Sequence, residues 1–509
     1  MSRKTLLSFA KARRESDNIR EMNSSDTVVV ILAAGKGTRM RSDLAKVLHH
    51  AGGRPLIEHV VCACQPLKPA QMLVVVGHQA EEVGTAVSEL GAETISQQPQ
   101  RGTGHALQIA RRAIRKRARI ALVVPGDAPL LRAETLAALL DTHRRGEAAA
   151  TILTAELDDP TDYGRILRDS EGRVQAVVEE KSATPEQKAI REVNSSIYCF
   201  TLEKLWPSLN ALRPENYHHE LYLTDVVGLL RQRNERVLAH LVADSKEIIG
   251  CNTRTTLADV DRILRARKAA ELMDAGATIY LPETVVIDPE VEVGADTLVE
   301  PCVQLLGKTR VGARCVIRTG SILRDSRVED DVVIDAHSIL DSSRIGEKAH
   351  VGPFSRLRPG ADVRARARVG NFVEMKKAVL HEGAKAQHLT YLGDAKVGRD
   401  TNIGAGTITC NYDGVSKHPT TIGNRVFIGS DTALVAPVRV GDGAYVAAGS
   451  TITEHVPANA LAIARGRQIN KPGWAAARRA ELKRAAAGKP SKARRRAKKP
   501  RARAKSRRR

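Results

Sequence analysis

The sequence predicts two unlike folds on one chain, an α/β domain built on a mainly parallel sheet and, after it, a long parallel β-helix. Three observations carry this. Five apolar residues, Val28 to Leu32, have the length and β-branching of a fully buried strand, and the run stops at small residues and glycines. Further apolar runs then alternate with helical stretches as far as residue 254. Beyond residue 277 an aliphatic residue recurs at every sixth position, often followed by glycine.

In chain order, residues 1–26 read as a polar, mixed-charge leader without the apolar core of a signal peptide, and Met22 offers a later start. The first strand feeds a loop in which Gly35 and Gly37 admit a close ligand while Lys36, Arg39 and Lys46 surround it with positive charge. A triphosphate needs such a loop. Two phosphate motifs are excluded by spacing. A P-loop requires glycine where Val30 stands and Ser or Thr where Gly37 follows Lys36, and the dinucleotide fingerprint requires a third glycine where Met40 stands. Runs at 72–76, 120–124, 151–153, 174–178, 193–200 and 237–242 read as strands, with helices over 104–116 and 133–145. In such sheets ligands sit beyond the strands' carboxyl ends. There Gln97-Gln-Pro-Gln-Arg-Gly-Thr-Gly-His-Ala106 opens a helix, and Asp127 closes a strand in Pro125-Gly-Asp-Ala-Pro129. An isolated Asp at a strand end is ordinarily a turn cap. Beside the other motifs it reads as a Mg²⁺ ligand, the remaining ligands coming from substrate and water.

Residues 255–276 predict one helix joining the two domains. Its apolar positions Leu257, Val260, Leu264 and Leu272 have helical spacing, its charges are most simply a solvated face, and Gly276 ends it. The repeat then runs through Val293, Val299, Leu305, Val311 and Ile317, through Val351, Leu357, Val363 and Val369, and from Ile422 to Ile452. Six residues make one flat face of a triangular coil, so eighteen complete a turn. Two stretches break the period, and breaks in a solenoid are where function sits. One runs from Asn371 to Asp394. The other, from Asn402 through Thr409-Cys-Asn-Tyr-Asp-Gly414 to Lys417, reads as an excursion. A lone histidine is more often a structural hydrogen-bonder, but His388 lies near a lysine pair and a tyrosine in an aliphatic scaffold, which favours a general base. Arg358 and Lys376 suit a phosphate, and Tyr391 and Asn402 suit a sugar. Past the coils, Pro472-Gly-Trp474 and an Ala/Arg-rich stretch suggest a short helical arm.

Composition narrows the classes. The chain has 509 residues, only 3% of them aromatic, and seven scattered cysteines; Cys62-x-Cys64 lacks a second pair, so neither a zinc site nor a disulfide framework is implied. A reducing, cytoplasmic setting fits, and no apolar run approaches a membrane span. The net charge of +22 looks like a nucleic-acid signal until it is located: residues 478–509 contain 17 Lys or Arg against Glu481 alone. The segment 476–509 is assigned as a basic, disordered tail. It would hold polyanions non-specifically or simply be solvated.

The motifs also carry a resemblance. Leu32-Ala-Ala-Gly-Lys-Gly-Thr-Arg-Met40 with Lys46 resembles the signature of sugar-1-phosphate nucleotidyltransferases, which have a Rossmann-like domain. Tyr163-Gly-Arg-Ile166, Val178-Glu-Glu-Lys181, Val193-Asn-Ser-Ser196 and Gly250-Cys-Asn-Thr-Arg254 narrow it to the bifunctional family of N-acetylglucosamine-1-phosphate uridylyltransferase and glucosamine-1-phosphate N-acetyltransferase. The hexapeptide half resembles acyltransferases whose β-helix is left-handed and trimeric. By resemblance, Leu32, Ala33, Ala34, Gly35, Lys46, Gln97, Gly102, Thr103, Pro125, Gly126 and Asp127 bind the nucleotide, with Gly164, Glu179, Asn194 and Asn252 on the amino sugar and its ribose partner. Asp127 and Asn252 share Mg²⁺. Arg358, Lys376, Tyr391 and Asn402 bind the sugar phosphate of the acetyl transfer, and Ala405, Asn411, Tyr412, Ser430, Ala448 and Arg465 bind acetyl-CoA, partly across subunits. UTP and acetyl-CoA are co-substrates, and the product feeds peptidoglycan and lipopolysaccharide precursors. The chain departs from the pattern at Ala45 (usually proline), at Pro125 (usually aromatic or small polar) and at Ser195-Ser196 (usually Thr-Gly). Two rivals remain: a monofunctional nucleotidyltransferase on a structural β-helix, and a non-catalytic regulatory subunit of similar build.

Overall fold

The structure is a computed structural model that describes residues 26–214 and 219–487. The expected leader, apart from residue 26, and the basic tail beyond residue 487 lie outside the described residues.

The N-terminal half contains strands β1 (Thr27–Ala33), β2 (Gln71–Val76), β3 (Glu93–Ser96), β4 (Ile120–Pro125), β5 (Ala150–Glu156), β6 (Gly164–Arg168), β7 (Val174–Val178), β8 (Glu192–Thr201) and β9 (Val237–Leu241). They form one sheet in the order β3-β2-β1-β4-β8-β5-β9, with the β6–β7 pair attached to β8. β1 lies parallel to β2 and β4, whereas β8 runs antiparallel to β4 and β5. Helices α1 (Leu56–Cys64), α2 (Ala80–Ser88), α3 (Thr103–Ala110), α4 (Ala133–Arg145), α5 (Leu202–Asn210) and α6 (Asp225–Gln232) cover it. Both faces of β1 are buried. Val29, Ile31 and Ala33 point into one apolar cluster, and Val28 and Val30 into the other. A continuous apolar run therefore marks this central parallel strand.

Two expectations need correcting here. The helix expected over 104–116 ends at Ala110, because the chain tightens into single turns and the side chain of Gln71 takes over its end, donating to Ala113 O at 3.1 Å and accepting from Arg115 N at 3.1 Å. β3 and β6 were not foreseen. β3 is a polar edge strand, and β6 buries an arginine beside the aliphatic Ile166, Arg165 being 2% exposed and paired with Glu180 at 2.7 Å.

Helix α7 (Arg254–Asp274) joins the halves, and Thr253 caps it by accepting from Thr256 N. Its first half packs Val260 against Ala51, Leu56, Leu130 and Cys251 of the α/β domain, while Ala269 and Leu272 belong to the core of the β-helix. Its charged positions are not all a solvated face. Arg267 donates to Leu130 O at 2.7 Å, Asp261 accepts from Gly52 N at 2.8 Å, and Arg265 bridges Asp261 and Asp288.

The C-terminal half is a left-handed parallel β-helix with sheets of 11, 10 and 9 strands, each strand two to four residues long. The sixth-position aliphatic residues form one continuous core. The eighteen-residue turn holds only for part of it. Many coils pair residues 17 apart, as in Val311↔Val328, Leu323↔Leu340 and Met375↔Leu392. The shortening occurs at one corner, where a single left-handed residue turns the chain: Asp325, Ser342, Lys377 and Asp394 have φ of 45°, 47°, 45° and 47°. Around the excursion the pairing distance grows to 25, and Tyr412 bridges Lys417 in a small ribbon. After the coils, helix α8 (Trp474–Ala487) is the short arm that the Ala/Arg-rich stretch suggested, and it takes in 476–487 of the segment assigned as disordered. No described helix is long and apolar enough to cross a membrane.

Ser196 sits at φ 63° where β8 bulges against β5. A side chain in that conformation costs about 1–2 kcal/mol, so Ser196→Gly is expected to stabilise the α/β domain by about 1 kcal/mol, read as a raised calorimetric transition.

Candidate active sites

The first site forms at the carboxyl ends of β1 and β4. Gly126 N donates to Leu32 O at 2.9 Å, which draws the Pro125–Asp127 turn against the start of the glycine loop Ala34–Met40. Lys46 follows that loop, and its ammonium donates to Asp127 Oδ2 and, at 3.1 Å, to Asn252 Oδ1. Gly37, at φ 65°, lies on the Lys46 stem so closely that a Cβ there would stand 2.5 Å from Lys46 Cβ. Cys251 N donates to Asp127 O at 2.8 Å, fixing Asn252 beside the carboxylate. Two oxygens thus converge on one cation. Such a pair also fits Mg²⁺, which takes few protein oxygens and completes its shell with substrate and water. The described residues hold no cluster of three or more His, Cys, Asp or Glu suited to a metal, so substrate would have to supply ligands.

The site continues on α3. Gln97 is buried and donates to Gly102 O at 3.0 Å, and Thr103 Oγ1 accepts from Leu223 N at 3.0 Å. The next residue, Thr224, donates to Glu179 Oε1 at 3.1 Å, and Gly164 pairs with Asn194 across β6 and β8. Thr103, Glu179, Gly164 and Asn194 are therefore one connected wall. Burial holds the Glu179 carboxyl above the usual range, against the opposing effect of Thr224. Sequence reasoning missed several supports of this site. Gln100 donates to Ala34 O at 2.6 Å, Arg254 Nε donates to Met40 O at 3.3 Å, and Gln79 accepts from Ala45 N. Each is a contact between distant segments, without a local signal.

The second site lies on the β-helix. His388 and Asn371 are neighbours on adjacent coils, with His388 Nδ1 3.1 Å from Asn371 Oδ1. With Asn371 accepting from Nδ1–H, the Nε2 lone pair is left to act as a base. On the next face, register stacks Glu374 on Tyr391 and Lys376 on Gly393. Gly393 is required by close approach, because a Cβ there would meet Tyr391 Oη at 2.4 Å and Asn411 Nδ2 at 2.7 Å. Arg358 pairs with Glu374 at 2.9 Å, and Asn411 donates to Asp394 Oδ2 at 2.6 Å. Lys417 from the excursion meets Lys376, and together with Arg358 and Lys377 it holds the Lys376 ammonium below its ordinary range. These cations crowd one place, as an anion site requires.

Of the other predicted residues, Ala405, Ser430, Ala448 and Arg465 line up on successive coils. Asp431 N donates to Ala405 O, Gly449 N to Ser430 O, and Arg465 to Ala448 O at 2.8 Å. Tyr412 is exposed at the opposite end of the strand Ile408–Cys410 from Ala405, and Asn402 stands on the sheet of Lys385 and Phe427 rather than in the Arg358–Lys376 column.

Comparison with known proteins agrees with this division. The MobA-like NTP transferase domain family matches residues 29–216, and the bacterial transferase hexapeptide family (six repeats) matches residues 419–454. The Bifunctional protein GlmU of Koribacter versatilis (strain Ellin345) is 48% identical over 459 residues, covering 89% of this chain and 98% of its own. The chain belongs to the GlmU family. The GlmU proteins of Solibacter usitatus (strain Ellin6076) and Corynebacterium glutamicum are 49% and 46% identical over 460 and 462 residues, covering 90% and 89% of this chain and 99% and 95% of theirs. As a GlmU family member with an NTP transferase domain ahead of a hexapeptide transferase domain, it is a bifunctional enzyme, an N-acetylglucosamine-1-phosphate uridylyltransferase and a glucosamine-1-phosphate acetyltransferase. The monofunctional and non-catalytic rivals fall away.

Gly37→Ala would force both a strained φ and a clash with the Lys46 stem. It is expected to lower uridylyl transfer roughly 100-fold while leaving acetyl transfer at the wild-type rate, measured on the two half-reactions separately.

Proposed function

We propose that the two sites act in sequence on one sugar. At the β-helix, Arg358, Lys376 and Lys417 hold the phosphate of glucosamine-1-phosphate, and Tyr391 and Asn402 orient the ring. His388, kept in one tautomer by Asn371, takes a proton as the amine attacks the thioester carbonyl of acetyl-CoA; the C–N bond forms, the C–S bond breaks and the thiol leaves. Acetyl-CoA runs along Ala405, Ser430, Ala448 and Arg465, with Asn411 and Tyr412. Their location at opposite ends of the strand Ile408–Cys410 supports a trimer in which one subunit completes the site of the next.

At the α/β domain the phosphate of the acetylated sugar attacks the α-phosphorus of UTP and pyrophosphate leaves. The glycine loop and Lys46 hold the phosphates, Gln97, Gly102 and Thr103 face the base, and Gly164, Glu179 and Asn194 face the amino sugar. Asp127 and Asn252 would hold Mg²⁺, which offsets phosphate charge when bound. No covalent enzyme intermediate is required. The enzyme would work in the cytoplasm on small molecules, and the polyanion affinity suggested for the basic tail concerns residues outside those described.

The observation that carries this division of labour is the His388–Asn371 pair on one face of the β-helix, with a crowd of cations around Lys376 on the next face, in a scaffold otherwise built for packing. Product analysis by mass spectrometry, with glucosamine-1-phosphate, UTP and Mg²⁺ supplied, is expected to give UDP-N-acetylglucosamine only when acetyl-CoA is added. His388→Ala is expected to lose acetyl transfer and keep uridylyl transfer, and Asp127→Ala to do the reverse. Loss of both activities in either folded variant would contradict the assignment.

Lys376 gives a pH dependence. Its like-charged neighbours lower its pKa in the free enzyme, and a bound phosphate would raise it again. Binding therefore takes up protons, and affinity for the sugar phosphate is complete below the lowered pKa and falls as pH rises through it. Calorimetric titration in buffers of different ionisation enthalpy would register this uptake, and Lys417→Met should reduce it.

A further inference from the structure

Ala45, the residue before Lys46, has the backbone that a proline would impose, φ −53° and ψ 136°. Proline would have no N–H there. Ala45 has one, on a residue only 1% exposed, and it donates to Gln79 Oε1 at 2.5 Å. A buried amide without an acceptor is costly, so this chain needs a partner that a proline would not. Gln79 is itself held firmly. It caps α2 in the left-handed region at φ 49°, and its carbonyl accepts from Val83 N at 3.0 Å. The preceding His78 has Nε2 3.1 Å from Asp43 O, and its backbone N donates to Ala34 O at 3.4 Å. The turn from β2 into α2 thus grips the phosphate loop at both ends, and the residue after the second grip is Lys46.

We propose that Gln79 is a positioning residue for uridylyl transfer. Through the Ala45 amide it holds the peptide that aims Lys46 at Asp127 and Asn252, and so performs with a hydrogen bond what proline performs by covalent restriction. The inference rests on the role proposed for Lys46. Gln79 acts on the loop, through its side-chain contact with Ala45 N.

The test uses the full-length enzyme and both half-reactions. Gln79→Met, which keeps the side chain's bulk and loses the acceptor, is expected to lower kcat for uridylyl transfer about tenfold and to leave acetyl transfer unchanged. Adding Ala45→Pro in the same chain should restore most of the loss, since the proline needs no acceptor; a merely structural role for Gln79 would not be rescued in this way. Wild-type uridylyl kinetics in Gln79→Met, or a double variant that keeps acetyl transfer but not the rescue, would overturn the proposal. If Ala45→Pro lowers the melting temperature, Gln79→Glu takes its place: it retains an acceptor and should retain uridylyl transfer, and a loss equal to that of Gln79→Met would sink the idea. Lys46→Met separates the two readings. Retained uridylyl transfer there refutes the role of Lys46 itself, whereas loss there with a silent Gln79→Met refutes only the part given to Gln79.

Discussion

The α/β half is arranged around one ammonium group held between two oxygens. Lys46 reaches Asp127 and Asn252 from the far side of a loop whose backbone leans on its stem, and its two partners come from just past the fourth strand and just before the long helix. Asp127 and Lys46 are both mostly withdrawn from solvent, with 12% and 18% of their side-chain surface exposed. Removing either charge would leave the other poorly compensated in a partly buried place, which costs more than the pair contributes. The pair therefore keeps the loop closed around a cationic point. An incoming triphosphate would find that positive charge already in place and would not have to assemble it.

The β-helix solves the same problem differently. Its polar groups are collected by stacking. His388 and Asn371 are far apart in sequence but adjacent across one coil step, and Arg358, Lys376 and the Lys417 excursion add charge within a few coils. Precision comes from the rigid step between coils. The single-residue corners matter for this reason. Lys377 and Asp394 turn the chain one residue early, and the coils they close still stack in register, with Lys376 paired to Gly393 17 residues on.

Much of this was legible because the physics was local. Val28 to Leu32 is apolar on both faces, so its burial and parallel pairing follow from composition, and the six-residue aliphatic period admits few folds. Lys46, Asp127 and His388 stand in local patterns that chemistry recognises. What was not legible depends on tertiary contact. β3 is too polar to look like a strand, and in β6 one of the two deeply buried side chains is a charged one, Arg165 paired with Glu180. The early corners are made by Asp, Ser and Lys in a conformation that glycine would advertise. Asn371, Gln79, Gln100 and Arg254 act across the fold, and nothing adjacent to them in sequence announces it. The charges of the long helix were read as solvated because their partners, Leu130, Gly52 and Asp288, belong to other segments.

The long helix also says why the two activities share a chain. Its beginning adjoins Asn252, the partner of Lys46, and its end supplies Ala269 and Leu272 to the apolar interior of the β-helix. A solenoid needs a lid on its terminal coil, since an uncovered coil shows water both apolar side chains and unpaired backbone. The other end is less protected, with Leu461 and Ile463 exposed. Cutting the chain between the enzymes would thus divide a single rod and uncap the second fold. Their fusion lets one helix serve two cores.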